Sequence, residues 1–400
     1  MTTSDSAAVL DHDALAERFR PLFDRIAEGA LEREKTRTVS REQFDLLRHA
    51  GFGRIRIPVE HGGLGGRLSD VFLLTAELAA IDPNLAHVWR SQYAFVEDRI
   101  SAPEDPFSAT ILRRLASGEV VGGGWSERSG ASVGTTHTVL EPAQDGGWFV
   151  TGDKYYSTGS IYADWITVLA GRPDGELVVA LVGVHQDGVE VRDDWDGFGQ
   201  QVTGSGSVLY RRAHLPAEHA IPYGERFRYQ AHYYQTFLNA VVVGIGRAVL
   251  RDGVAALRAR GRAHPGNVSS IAREDPQLLQ VVGEVAALVR SADATFAESV
   301  RQVDRAAEDD AGAGVLDAAW DAVVVAQLVV TTNVLAATTQ VLDALGSSGT
   351  STSLALDRHW RNARTIASHN PRVARARDLG DGIVNGRSAP VPSADERSVA

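Results

Sequence analysis

The chain has 400 residues, room for two or three domains. Its composition, 44% hydrophobic and 23% charged, is that of an ordinary soluble globular protein. A net charge of -11 without a basic tail argues against a nucleic-acid partner. The absence of cysteine excludes disulfides, thiolate metal sites and cysteine nucleophiles together.

Residues 1–8, M-T-T-S-D-S-A-A, carry neither a charged n-region nor an apolar h-region. No signal peptide is expected, and a cytoplasmic enzyme is the default. Residues 1–117 read as an N-terminal helical domain. Within it, Ser40-x-x-Gln43 is a capping box opening a helix towards Ala50, which Gly51 stops. A glycine-rich turn at 57–66 precedes an apolar-periodic helix from Ser69 to about Ile81. Residues 118–225 change character: W-F-V-T-G, W-I-T-V-L-A and L-V-V-A-L-V-G-V alternate with turn residues, predicting a small antiparallel β-domain. Residues 226–400 return to helix, with long elements expected at 229–260, 276–307, 315–345 and 356–368. Short connections imply a C-terminal four-helix bundle, with a frayed tail after Pro390. The most apolar stretch, 318–345, is broken by Asp321, Gln327, Asn333, Gln340 and Asp343, so it reads as a buried helix and not a membrane span.

Several motifs could carry chemistry, and each has a plain structural reading beside it. G-W-S-E-R-S-G-A-S (124–132) could present backbone N–H groups to an anion or a ring edge, or be an ordinary turn. In G-D-K-Y-Y-S-T-G (152–159), Tyr156, Ser157 and Thr158 set an aromatic plane beside two hydroxyls, which suits a flat hydrogen-bonding ring or a ligand-free strand end. F-G-Q-Q-V-T-G-S-G-S (198–207) reads as structural, with Phe198 as a pocket candidate. R-A-R-G-R-A-H-P-G (258–266) is a basic helix end, explained by the helix dipole or by phosphate binding at Arg262. The loop Gly346-Ser347-Ser348-Gly349 could hold a phosphate or simply end a helix. No metal-ligand pattern is evident. In L-D-R-H-W-R-N-A-R-T-I-A-S-H-N-P (356–371), Arg358, Arg361 and Arg364 share a helical face, ahead of His369-Asn370-Pro371. That face is either a solvated or salt-bridged surface, or a helix that helps hold an anionic cofactor and delivers His369 to a site.

Taken in order, I-P-V-E-H-G-G-L-G-G, W-S-E-x-x-x-A-S, G-x-K-x-x-x-T, R-x-x-x-G, G-S-S-G and R-x-x-R-N-A-R resemble the acyl-CoA dehydrogenase superfamily over nearly the whole chain. The resemblance implies an N-terminal helical domain, a central β-domain and a C-terminal four-helix bundle, assembled as a homotetramer around a flavin. It implies that Trp125, Ser126, Tyr156, Ser157 and Thr158 lie against the flavin ring and that Arg262 reaches its phosphates. It further implies that the 346–349 loop is contributed across a subunit interface and that Ser132 lies on the substrate side.

The chain departs from a typical dehydrogenase at the base. The two places where the family carries a carboxylate fall on Asn370 and near Tyr234, and an asparagine cannot take a proton from carbon. The ending H-N-P and the Y-S-T-G strand resemble instead the two-component monooxygenase branch, including dibenzothiophene monooxygenases. That resemblance implies reduced FMN supplied by a separate reductase, O2, and a small substrate oxygenated at sulfur, nitrogen or carbon. His369, with an ordinary pKa near working pH, and Ser157 would be the catalytic groups; Gln92, Tyr93, Trp125, Ser132, Phe198 and Asn370 are pocket candidates. Where dibenzothiophene members carry histidine and asparagine, this chain has Gln92 and Gly123, so that substrate does not follow. The alternatives are an FAD-dependent acyl-CoA dehydrogenase with a displaced base, and a catalytically silent flavin-fold partner.

Overall fold

The computed structural model describes residues 9–128 and 136–386. The helical N-terminal part comprises α1 (His12–Ala27), α2 (Ala30–Thr36), α3 (Arg41–Ala50), α4 (Leu68–Ala79), α5 (Pro83–Val88), α6 (Arg90–Ile100) and α7 (Pro106–Ala116). The strands are β1 (Val121–Gly124), β2 (Val139–Pro142), β3 (Trp148–Lys154), β4 (Trp165–Gly171), β5 (Leu177–Gly183), β6 (Val189–Val191), β7 (Val208–Leu215) and β8 (Ala220–Pro222). The C-terminal helices are α8 (Gln230–Ala259), α9 (Pro276–Ala306), α10 (Ala313–Leu345), α11 (Asp357–Ala367) and α12 (Arg372–Asn385).

Asp-Pro pairs open α5, α7 and α9. Asp82, Asp105 and Asp275 accept from the N–H groups of Leu85, Phe107 and Leu278, and the proline that follows has no N–H to leave unpaired. The capping box expected at Ser40 does not form. Ser40 makes no side-chain cap bond, and its buried N–H is taken by the Tyr162 hydroxyl at 3.3 Å, so tertiary packing replaced the local cap. The turn at 57–66 needs its glycines: a Cβ on Gly63 would stand 1.9 Å from the Ile57 carbonyl oxygen.

The sheet runs β6-β7-β3-β2-β4-β5-β8, with β1 attached to β4. It is antiparallel except that β1 lies parallel to β4 and β2 touches β4 in parallel at one pair, a correction to the wholly antiparallel sheet expected. The parallel placement sets Gly122–Gly124 beside Ile166–Val168 and carries the chain into Trp125 at the edge of the sheet.

Two cores result. One joins Phe19, Phe44, Phe72 and Trp89 of the N-terminal helices to Tyr233, Phe237, Phe296 and Val330 of the bundle. The other lies within the β-domain around Val150, Ile166, Val168, Val208 and Tyr210. Helix α10 is apolar and long enough to cross a membrane, with a mean hydropathy of 1.7 over its most apolar window. Half of that window is buried, and Trp320, Val323, Val330 and Val334 sit in the shared core. Helix α12 lies beyond the four helices expected. Gly380 and Gly382 read as breakers, and the segment lacks a continuous apolar stripe. Only Asp378 of α12 is buried, while Val373, Ile383 and Val384 stand about four-fifths exposed.

Candidate functional site

The loop from β1 to the β-domain is fixed by a buried ion pair. Lys154, at the end of β3, donates to Glu127 at 2.7 Å and to the Trp125 carbonyl at 3.2 Å, with both charged side chains almost fully covered. Glu127 also accepts from Thr136, from the Thr138 hydroxyl at 2.8 Å and from the His137 N–H at 2.9 Å. Burial works against the carboxylate, yet these donors together hold it down to about 2, while burial brings Lys154 down to about 8. Glu127 of the S-E motif and Lys154 of the G-x-K motif thus serve each other and position Trp125.

Trp125 is half-buried at the edge of the sheet, its indole N–H 3.2 Å from the Thr167 hydroxyl. Its ring meets Tyr223 at 5.9 Å and Tyr234 at 6.4 Å, and the Arg226 guanidinium lies 4.5 Å above it. Arg226 is neutralised by buried Asp98 at 2.6 Å and donates to the Tyr234 hydroxyl at 3.1 Å. An aromatic wall on a fixed cation closes this side.

At the junction of α11 and α12, His369 Nδ1 lies 3.0 Å from the Asn370 Oδ1. Asn370 Nδ2 donates to Gln235 Oε1 at 2.7 Å, and Gln235 Nε2 donates to Asn239 Oδ1 at 2.9 Å. This run of amides assigns the tautomer: Nδ1 donates and Nε2 is left as an acceptor. Burial, with the nearby Arg90 charge adding to it, pushes His369 down to about 3. The expectation of a pKa near working pH is thereby corrected, because an imidazole desolvated beside a guanidinium stays neutral.

Two further residues converge here that sequence reasoning missed. His87 is buried at the end of α5, with Nδ1 3.1 Å from Gln200 Oε1 and Nε2 without a protein partner. Burial and Arg90 hold it well below the ordinary imidazole value, and His369 is close enough to add to the effect. Arg90, at the start of α6, lies with its guanidinium 5.4 Å from the Tyr234 ring centre. The Asp82-Pro83 helix start was legible and would have placed His87 on α5, whereas nothing local marks Arg90, which opens the next helix.

The structure does not bring all the expected residues together. Gln92 is fully buried, its amide spanning the Gly53 carbonyl at 3.0 Å and the Val121 N–H at 2.8 Å. Tyr93 is equally buried and donates to the Phe52 carbonyl. Both fasten α6 to its neighbours and neither lines an open pocket. Phe198 is half exposed, stacked on Trp360 at 5.6 Å, and its loop is wedged on α11, where Gln200 N donates to Asn362 at 2.6 Å. Ser132 lies outside the described residues.

On the β-domain face, Tyr156 is 55% exposed and held at φ +57°, a left-handed conformation costly for a tyrosine. Ser157 beside it is fully buried, with a hydroxyl that has no partner among the described residues; the same holds for Tyr210. Both hydroxyls lie 3.5 Å from the point a Cβ on Gly124 would occupy. Thr158 shares its hydroxyl with Ser205 at 2.8 Å, and Ser126 pairs its backbone with Tyr155.

Arg262 and the 346–349 loop lie at the far end of the bundle. Arg262, Ser347 and Ser348 are exposed, and Arg260 ties the two segments by donating to the Leu345 carbonyl at 3.0 Å. Tyr234 and Ala259 are separated by nearly the whole of α8, roughly 38 Å at 1.5 Å per residue. No flavin mononucleotide spans that distance. A separate cleft of about 660 Å³ between the N-terminal helices, α8 and α11 contains Asp252, Arg358 and His359. Its charges serve one another, Asp252 accepting from Arg358 and from His359 at 2.9 Å. Arg361 is likewise used by Asp357 at 2.9 Å and the Phe198 carbonyl at 3.0 Å, so these two arginines of the 356–371 run are structural.

Residues 10–119 match the family model for the acyl-CoA dehydrogenase N-terminal domain, and residues 236–371 match an acyl-CoA dehydrogenase C-terminal domain. Together these cover more than half of the chain. It belongs to the acyl-CoA dehydrogenase family. Among relatives, dibenzothiophene monooxygenase of Mycolicibacterium goodii is 26% identical, over 98% of this chain and 99% of that protein. A probable FMNH2-dependent monooxygenase, SfnC of Pseudomonas putida, is 24% identical over 94% of this chain and 95% of that protein. Among solved structures, FMN-bound TdsC from Paenibacillus sp. A11-2 superposes with a TM-score of 0.88 at 26% identity, covering 95% of this chain and 99% of that one.

As an acyl-CoA dehydrogenase family member, this chain is unusual at both positions where the resemblance expects a base. The Asn370 side chain is spent between His369 and Gln235, and the Tyr234 hydroxyl accepts from Arg226. The acids nearest the pocket, Glu97 and Asp98, are held by Arg56 at 2.9 Å and by Arg226. Among the described residues, none of these groups is a free carboxylate able to abstract a proton from carbon.

Proposed function

We propose that this chain is the oxygenase component of a two-component system, using reduced FMN and O2 to oxygenate a small organic substrate. The observation that carries the reading is the exchange of a carboxylate base for a neutral imidazole oriented by Asn370 and Gln235. The monooxygenase names of full-length relatives and the FMN of the TdsC structure support it.

The residues fit a flavin. The Ser157 hydroxyl, without a partner among the described residues, offers a hydrogen bond, and the exposed, strained Tyr156 offers a ring face. FMN, when bound in its reduced form, supplies the activation of oxygen. Trp125, Tyr223 and Tyr234 exclude water from one side of the reacting centre. His369 Nε2 accepts a hydrogen bond at the other side, and its Nδ1–H stays fixed on Asn370. FMN arrives from a flavin reductase as a diffusing partner.

The distance along α8 supports assembly of the site from more than one copy, in a homotetramer. Arg262 and Gly346–Gly349 then serve a flavin seated on a neighbouring subunit. The exposed apolar residues of α12 fit the same assembly. Arg262→Ala is expected to weaken FMN binding at least tenfold without altering the mass of the particle, read by flavin fluorescence titration and light scattering. The function itself is tested by mixing the protein anaerobically with reduced FMN and then adding oxygen. A transient absorbance change distinct from free flavin oxidation is expected. Flavin bleaching by an acyl-CoA without oxygen would instead establish the dehydrogenase.

A further inference from the structure

The charged residues of α6 form a ledger that does not balance. Asp98 is held by Arg226, Glu97 by Arg56, and Arg99 donates to Asp105 at 2.8 Å. Each charge on this helix has a partner of opposite sign except Arg90. Its guanidinium makes no ion pair and no hydrogen bond among the described residues, and its Nε is buried and unsatisfied. Its guanidinium lies against the face of Tyr234, and its backbone carbonyl is held by the Tyr233 hydroxyl at 2.7 Å.

A guanidinium cannot escape desolvation by losing its proton, as a lysine or histidine can. The side chain is partly exposed, so a ligand that displaces water from it must bring a compensating anion. The neighbouring groups do not supply one. His87 and His369 are neutral, Tyr233 is held well above its ordinary pKa by burial, and Asn370 and Gln235 are uncharged. The charge also sits among these groups: it lies over the Tyr234 ring that borders Trp125, and it is felt at both imidazoles.

We propose that Arg90 is a substrate-binding residue and that the substrate carries an acid group, such as a carboxylate, which forms a hydrogen-bonded pair with its guanidinium between Tyr234, His87 and His369. The inference rests on the oxygenase reading for what happens to the substrate afterwards, but not for the binding step. An acid held on Arg90 turns the uncharged remainder of the molecule towards the Trp125 side. His87 Nε2, a buried acceptor without a partner, then suits an O–H or N–H on the same substrate.

The test uses the full chain with oxidised FMN present and no turnover. Acetate, benzoate and 2-naphthoate are compared with acetamide, benzamide and 2-naphthamide, with binding read by quenching of tryptophan fluorescence. At least one acid is expected to bind tenfold or more tightly than its amide. Arg90→Gln should remove that preference, and Arg90→Lys should keep part of it. Circular dichroism establishes that both variants are folded, and the lysine variant carries the test if the glutamine variant is not. The proposal is overturned if no acid in the series outcompetes its amide, or if the preference survives in Arg90→Gln. It is also overturned if that variant loses FMN affinity while the acids compete with FMN, which would assign Arg90 to the flavin phosphate. Acid binding without oxygen chemistry would end the oxygenase reading and leave the anion site standing; oxygen chemistry without acid preference would do the reverse.

Discussion

His369→Ala is expected to slow substrate oxygenation by about 10²-fold or more, within the range for a positioned acid–base group. FMN affinity should stay within twofold, because His369 contacts Asn370 and not the β-domain face where Ser157 and Tyr156 lie. Rapid-mixing absorbance with reduced FMN and oxygen, together with the yield of hydrogen peroxide, measures both. The pH dependence sharpens the expectation. A folded-state value of about 3 lies far below the ordinary imidazole value of 6.5, so His369 stays neutral through the whole working range. The rate should therefore show no limb between pH 5 and 8 that disappears in His369→Ala. A limb near pH 6.5 that vanished in the variant would mean that the imidazole is cationic in the working enzyme, and the hydrogen-bond acceptor role would fail.

The second large effect is on stability. Glu127→Gln leaves Lys154 buried without its counter-charge, and breaking one side of a buried pair costs about 3–5 kcal/mol. Urea unfolding at pH 7 reads the loss. The sign of its pH dependence follows from the carboxylate. Glu127 is held at about 2 in the folded chain against 4.5 for a free glutamate. Its contribution is complete above pH 4.5 and is lost as pH falls from there towards 2. The gap between wild type and variant should therefore narrow in acid and stay constant from pH 5 to 7. An equal gap at pH 3 and pH 7 would show that the ion pair is not what the substitution removed.

Much of this architecture was legible before any coordinates. Asp-Pro starts, apolar periodicity and β-rich runs are local signals, and the long helices at 230–259, 276–306 and 313–345 begin and end within a few residues of where those signals put them. His369 and Asn370 were found because the H-N-P ending departs from a pattern. Other features depend on distant partners. Ser40 looks like a cap until Tyr162, more than a hundred residues later, occupies its N–H. Gln92 looks like a pocket residue until both ends of its amide meet backbone from Gly53 and Val121. Arg90 carries no local mark at all. It differs from the other charges of α6 by what it lacks, and a missing partner is visible only when every neighbour is in place.

The core shared between the first helices and the bundle bears on how the chain comes into being. Phe72 of α4 finds part of its cover on α8, against Tyr233 at 5.7 Å, and that helix is synthesised about 160 residues later, with the β-domain in between. The N-terminal helices leave the ribosome with their apolar faces uncovered and cannot finish packing until the bundle follows. The sheet has a core of its own, and its other face packs on α6 and α7, which are already made when it emerges. The middle of this sequence can therefore be the first part to settle, while its two ends complete one another last.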